Sequence, residues 1–202
     1  MGLNIKEIVP RRELDLSELK GKILCVDAYN MIYQFLTTIR QPDGTPLMDT
    51  KRRITSHLSG IFYRNANLIL EGVRLIYVFD GEPPYLKSQT LKIRDEIRYT
   101  NKEKYALAQE LGDTEKMRRY SANLIRLDED MIKESKELLE AMGIQTVQAP
   151  SEGEAEAAYL TKINSKIYAT VSQDYDSLLF GAPRLIRNLG LSRKRKTLSG
   201  WV

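Results

Sequence analysis

The segment Val73-Arg74-Leu75-Ile76-Tyr77-Val78-Phe79-Asp80 is a short, mostly apolar run that stops at a carboxylate. The same design recurs on either side of it. Lys22-Ile23-Leu24-Cys25-Val26 stops at Asp27, and Lys166-Ile167-Tyr168-Ala169-Thr170-Val171 ends shortly before Asp174. Ile144-Gln145-Thr146-Val147 comes shortly before Ser151-Glu152. Strand-like runs separated by helical patterns indicate βαβ units and a mostly parallel central sheet flanked by helices, an α/β fold.

The intervening helices read from their apolar spacing. Met31, Ile32, Phe35 and Leu36 mark one over residues 30–39, and Leu58, Ile61, Phe62, Asn65, Leu68 and Ile69 mark another over 55–70. Leu124, Leu127, Met131, Leu138 and Met142 form a third stripe, with Gly143 as its natural stop. Ser151-Glu152-Gly153-Glu154 precedes an Ala-rich helix, with Ser151 expected near its N-cap and acids in its first turn. Residues 81–130 break the pattern: they hold ten basic and ten acidic residues, open on Pro83-Pro84 and contain no strand-like run. Such a mixed stretch reads as a solvated helical insertion, rising from the rim where Asp80 sits.

Composition narrows the function classes. Hydrophobic residues are 42% and charged residues 29% of the 202, an ordinary globular balance in a chain long enough for one sizeable core. No apolar run approaches the length of a membrane span, and the N-terminus lacks the apolar stretch of a signal peptide. Cys25 is the only cysteine and His57 the only histidine, which excludes an internal disulfide, zinc fingers and iron–sulfur frames. Any metal must be held mainly by oxygen. The net charge of +4 is carried by the C-terminal end, where Arg184, Arg187, Arg193, Lys194, Arg195 and Lys196 occur without an acid. That run reads as a phosphate-backbone contact or as a solvated tail.

In an open parallel sheet, ligands bind beyond the carboxyl ends of the strands. Asp27, Asp80, Asp174 and Asp176 fall there, and Glu152 and Glu154 fall at a helix start that follows another strand. Taken singly, each is an ordinary turn former, helix cap or loop carboxylate. Together they recur at one topological place and would repel unless a cation neutralised them. Carboxylates without His or Cys select hard cations such as Mg²⁺ or Mn²⁺, and two such ions form the usual clamp for attack on a phosphodiester.

The residues around these carboxylates resemble a known family. Val26-Asp27-Ala28-Tyr29-Asn30, Tyr33-Gln34-Phe35-Leu36, Arg40-Gln41, Thr55-Ser56-His57-Leu58 and Val78-Phe79-Asp80-Gly81-Glu82-Pro83-Pro84 resemble the N-terminal region of structure-specific 5′ flap endonucleases. Residues 149–158 and 172–181 are similar to the internal block of the same XPG-type nucleases. The resemblance implies a PIN-like nuclease fold in a single domain over 1–202, with an N-terminal block about 1–98, an internal block about 116–202 and a helical arch or cap about 81–130. It implies incision of DNA with 5′ flaps and 5′–3′ exonuclease action, in replication and long-patch base excision repair, using two Mg²⁺ ions with Mn²⁺ as a substitute. By this likeness Asp27, Asp80, Glu152, Glu154, Asp174 and Asp176 are metal ligands. Asp80 and the two glutamates serve mainly one ion, Asp174 and Asp176 the other.

The resemblance also implies that Lys87 and Arg94, at the base of the arch, act with Asp80 in catalysis by contacting the scissile phosphate. Their seven-residue spacing places both on one side of a helix. Tyr33 matches an aromatic that stacks on the terminal nucleotide, though a core tyrosine fits the same pattern. Arg40 matches a residue near the 3′ flap, and Gly2 the family's N-terminal glycine. DNA contacts would then comprise Gly2, Tyr33, Arg40, Lys87, Arg94 and the run Arg193, Lys194, Arg195 and Lys196. His57 reads as structural. The archaeal character of the blocks implies a cytoplasmic location, or a nuclear one in a eukaryote, and a monomeric nuclease.

The family pattern continues beyond Val202 with a further aspartate, a helix-two-turn-helix element and a sliding-clamp motif, so this chain carries six of the carboxylates and no clamp motif. Apolar area around Leu185, Ile186 and Leu189 would then lie bare. A non-catalytic DNA-binding or regulatory module keeping the nuclease fold is the alternative. A phosphatase reading fails because Asp27-Ala28-Tyr29 lacks the required second acid.

Overall fold

The computed structural model describes residues 5, 7–41, 44–84, 88–121, 124, 126–189, 196–197 and 200–201. It describes backbone only at 88–95, 118, 196–197 and 200–201. Strand β1 (Ile23–Asp27) runs straight into α1 (Ala28–Thr38), and α2 (Ser56–Leu70) leads to β2 (Arg74–Phe79). Then come α3 (Ser88–Glu110), α4 (Thr114–Ser121), α5 (Glu129–Ala141), β3 (Gln145–Gln148), α6 (Gly153–Ile163) and β4 (Ile167–Val171). The chain continues with α7 (Asp176–Leu179), β5 (Leu185–Ile186), β6 (Lys196–Thr197) and β7 (Gly200–Trp201).

The main sheet has the order β3-β2-β1-β4-β5, and every pairing in it is parallel. Both faces are covered, and the strand residues divide by parity. Leu24 and Val26 of β1 and Leu75, Tyr77 and Phe79 of β2 join the core under α1, α2 and α5. Cys25 and Val78 face the other way, with Ala149 and Ala157 of the α6 side. In β4 a register shift opposite Ile23 and Leu24 skips Tyr168. Ile167 therefore packs on the α6 side while Ala169 and Val171 pack on the other.

The order also explains the site's position. The chain leaves β1 toward β2 and β3, then crosses back to lay β4 on the far side of β1. This reversal opens a crevice at the carboxyl ends of β2, β1 and β4, a topological switch point.

Several local readings need correction. Phe62 and Ile69 are exposed, because α2 turns Ser56, His57, Gly60, Ile61, Asn65 and Leu68 inward instead. Leu124 and Leu127 precede α5, which starts where the Asp128 carboxylate accepts the Met131 N–H at 2.8 Å. Ser151 does lie beside the α6 N-cap, which is Glu152, and its hydroxyl donates to the Glu82 carbonyl at 3.0 Å. Leu185 and Ile186 are not bare: they pair with Thr170 and Val171 as β5, and Ile186 and Leu189 pack on the core. Part of the basic C-terminal run is a hairpin, with Lys196 opposite Trp201.

Candidate metal and nucleic-acid site

Asp27 ends β1 and caps α1, its carboxylate accepting the Asn30 N–H at 3.1 Å. It is 6% exposed. Burial pushes its carboxyl up to about 8; the Asn30 N–H opposes this, and the neighbouring Asp80, Glu154 and Asp174 reinforce it. Those neighbours place carboxylates from three other parts of the chain within electrostatic reach of one buried acid, as the spacing of strand ends suggested.

Asp80 follows β2 and is held on every side. Its Oδ1 accepts the Gly153 N–H, at the first residue of α6, at 2.7 Å. Its own carbonyl accepts Gln148 Nε2 at 2.6 Å. The next residue, Gly81, donates its N–H to the Ser151 carbonyl at 2.5 Å. The Asp80 turn is thus fastened to the segment that leads into Glu152 and Glu154.

Glu154, in the first turn of α6, accepts the Ser177 backbone N–H at 2.9 Å and its hydroxyl at 2.7 Å. Burial raises its carboxyl above the usual range, Ser177 opposes that, and Asp174 and Asp176 add to it. Asp176 opens α7 immediately before Ser177. Asp174 accepts Asn30 Nδ2 at 3.1 Å. The carbonyl of Gln173 accepts Arg187 Nε at 2.8 Å, and the Arg187 guanidinium lies 4.1 Å over the Tyr175 ring.

Asp27, Asp80, Glu154 and Asp174 each accept from a nearby donor. Among the described residues no three His, Cys, Asp or Glu side chains converge closely enough to cage an ion as they stand. The donor set nevertheless fits a hard divalent cation: every member is a carboxylate, and burial penalises the ionised form of Asp27, which a cation would restore. Cys25 contributes nothing, since burial, with Glu156 and Asp27, pushes its thiol up to about 12.

The other expected site residues divide. Tyr33 is 37% exposed, which removes the core-tyrosine reading. Arg40 braces the fold: it donates to Leu36 O, Gly44 O, Ser121 Oγ and Ser121 O, tying the end of α1 to the last residue of α4. His57 is fully buried, with Nε2 3.5 Å from Glu134 Oε2, as a structural histidine would be. The backbone of Arg94 lies in α3, so the insertion is helical there. Gly2, Lys87, the Arg94 and Lys196 side chains, Arg193, Lys194 and Arg195 lie outside the described residues.

Asn30, Gln148 and Ser177 escaped the sequence reading. Only Asn30 carried a local signal, three residues after a capping aspartate. Ser177→Ala removes the hydroxyl bond to Glu154 and leaves the backbone one. We expect a stability loss of about 1 kcal/mol, checked by thermal melts.

Two family models match the chain, the XPG N-terminal domain over residues 3–101 and the XPG I-region over residues 143–199. Flap endonuclease 1 of Pyrococcus furiosus is 57% identical over 196 residues, which is 97% of this chain and 57% of the relative. Flap endonuclease 1 of Aeropyrum pernix is 54% identical over 199 residues, with the same coverage of 97% and 57%. The solved structure of flap endonuclease-1 from Methanococcus jannaschii matches with a TM-score of 0.71 at 40% identity, over 95% of this chain and 61% of that one. The catalytic core of Rad2 in complex with DNA substrate matches with a TM-score of 0.63 at 32% identity, over 88% and 46%. The chain spans little more than half the length of the curated relatives it matches.

Proposed function

The chain belongs to the XPG family, and on that premise we propose that it is the nuclease part of a structure-specific 5′ flap endonuclease with 5′–3′ exonuclease activity. One observation carries the reading: Asp80, Glu154 and Asp174 all bear electrostatically on buried Asp27 at the carboxyl ends of adjacent parallel strands. A nuclease needs such a concentration of negative oxygen ligands, whereas a stable core is weakened by it. The Rad2 core was solved with a DNA substrate, which supports DNA as the partner.

In this reading Asp27, Asp80, Glu152, Glu154, Asp174 and Asp176 hold two Mg²⁺ or Mn²⁺ ions. The chemistry a bound pair supplies is activation of water and neutralisation of charge on the phosphate. The protein's own part is to gather the carboxylates and orient them. Asp80 is aimed by Gly153 and Glu154 by Ser177. Lys87 and Arg94 approach the phosphate from the insertion, and Tyr33 offers an exposed ring for stacking. The non-catalytic alternative is not favoured, because it assigns no role to the carboxylate charge.

The test is cleavage of a 5′-labelled double-flap DNA with Mg²⁺, with EDTA, and by the Asp80→Ala variant. Cutting near the junction is expected to fall about a thousandfold or more on either change, since metal-ion stabilisation is worth several kcal/mol. Cutting that survives EDTA or Asp80→Ala, or no cutting with either Mg²⁺ or Mn²⁺, counts against the proposal.

A further inference from the structure

Asn30 touches both halves of the carboxylate rim. Its backbone N–H caps Asp27 at 3.1 Å. Its side-chain oxygen accepts the Gln173 N–H at 3.0 Å, and its amide nitrogen donates to Asp174 Oδ2 at 3.1 Å, across 144 positions of sequence. The orientation of the amide is decided by chemistry. A flipped amide would set its oxygen against a carboxylate and its NH₂ against an N–H, losing both bonds.

The two sides that Asn30 joins differ in rigidity. Asp27 stands at a strand-to-helix junction whose neighbours are fully buried. Asp174 stands in a short bend between β4 and α7. With both carboxylates ionised, like charge across the rim would push that bend outward. A neutral donor opposes the push without adding a charge of either sign, which a lysine in its place would do. Gln34 supports the same bend by accepting Gln173 Nε2 at 3.4 Å.

We propose that Asn30 is a positioning residue that sets the separation between the Asp27 and Asp174 carboxylates, and so the affinity of the ion that Asp174 and Asp176 would hold. This rests on the two-ion reading above. Asn30 approaches the carboxylates and not the phosphate, so it acts through Asp174. Groups placed this way commonly change metal affinity or activity by about 10–100-fold when removed.

The experiment compares wild type, Asn30→Leu and Asn30→Asp by Mn²⁺ binding followed by electron paramagnetic resonance, by thermal melting, and by the Mg²⁺ dependence of flap cleavage. In Asn30→Leu one Mn²⁺ is expected to bind as in wild type and the other about tenfold more weakly. Its kcat is expected to fall at fixed Mg²⁺ and recover as Mg²⁺ is raised, with KM for DNA within about twofold of wild type. Asn30→Asp, which sets a second oxygen against Asp174, is expected to be no better. If wild type binds no Mn²⁺, the two-ion reading itself fails. If wild type binds two ions and Asn30→Leu binds both equally well, the Asn30 proposal alone fails. Equal weakening of both ions together with a large fall in melting temperature assigns Asn30 a purely structural role and overturns the proposal too.

Discussion

Asp27→Asn is expected to raise the melting temperature of the metal-free protein at pH 8.5 and to cut flap cleavage about a thousandfold. The opposite signs have one cause. The Asp27 carboxyl ionises near 3.8 in an ordinary setting and near 8 in the fold, where burial dominates and three acids add repulsion. Between those pH values the folded state keeps a proton that the unfolded chain has released. Stability conferred by that group therefore declines as pH rises through the window, and the whole penalty is present above about 8. Asparagine resembles the protonated acid in size and carries no charge. The variant should match wild type near pH 3, below the ordinary value of 3.8, and exceed it at pH 8.5 by on the order of a few kcal/mol. Thermal melts in EDTA at the two pH values check this, and equal melting temperatures at pH 8.5 would sink it. On the proposed two-ion reading Mg²⁺ would take the place of the proton in wild type, so it should raise the melting temperature more at pH 8.5 than at pH 5.

Gly81→Ala is expected to damage both stability and cleavage. Gly81 has no positive φ, so backbone freedom is not what the position requires. What it requires is space: a Cβ there would meet the Ala149 carbonyl oxygen and come within 2.8 Å of the Pro150 C and O atoms. These are backbone atoms and cannot swing aside. Restoring clearance means parting the Asp80 turn from the 148–151 segment and breaking the Gly81–Ser151 and Asp80–Gln148 bonds. The overpacking should cost about 2–3 kcal/mol. A shift of Asp80 by even about 1 Å should cost about a hundredfold in cleavage. Denaturant melts and cleavage at saturating Mg²⁺ measure the two effects. A variant within about 0.5 kcal/mol of wild type and fully active would refute the close approach.

The carboxylate positions were legible because their signal is local. Each strand run ends next to its acid, and in a parallel sheet that position alone places Asp27, Asp80 and Asp174 on one rim. The partner of Ser151 beside the α6 cap was not legible, because its hydroxyl bonds to Glu82, a residue from a different part of the chain. The outward turn of Phe62 and Ile69 was hidden for a similar reason. Period counting finds an apolar stripe but not its centre, which the seat of Gly60 against the Phe35 ring decides.

Arg40 shows the limit most plainly. As a basic residue in a matching block it reads as a DNA contact, and the fold gives its guanidinium a second, structural task on Leu36, Gly44 and Ser121. Ser121 lies 81 positions away, and no local pattern could announce it.

Sequence by itself determined the parallel α/β layout, the oxygen-only character of any metal site and the six acids proposed for it, since these follow from residue type and short-range spacing. Only the tertiary structure decided how those acids are held: Gly153 on Asp80, Ser177 on Glu154, Asn30 between Asp27 and Asp174. Orientation depends on donors brought from distant parts of the chain, and burial of Asp27 depends on the strands and helices closing around it. Neither quantity exists until the chain has folded.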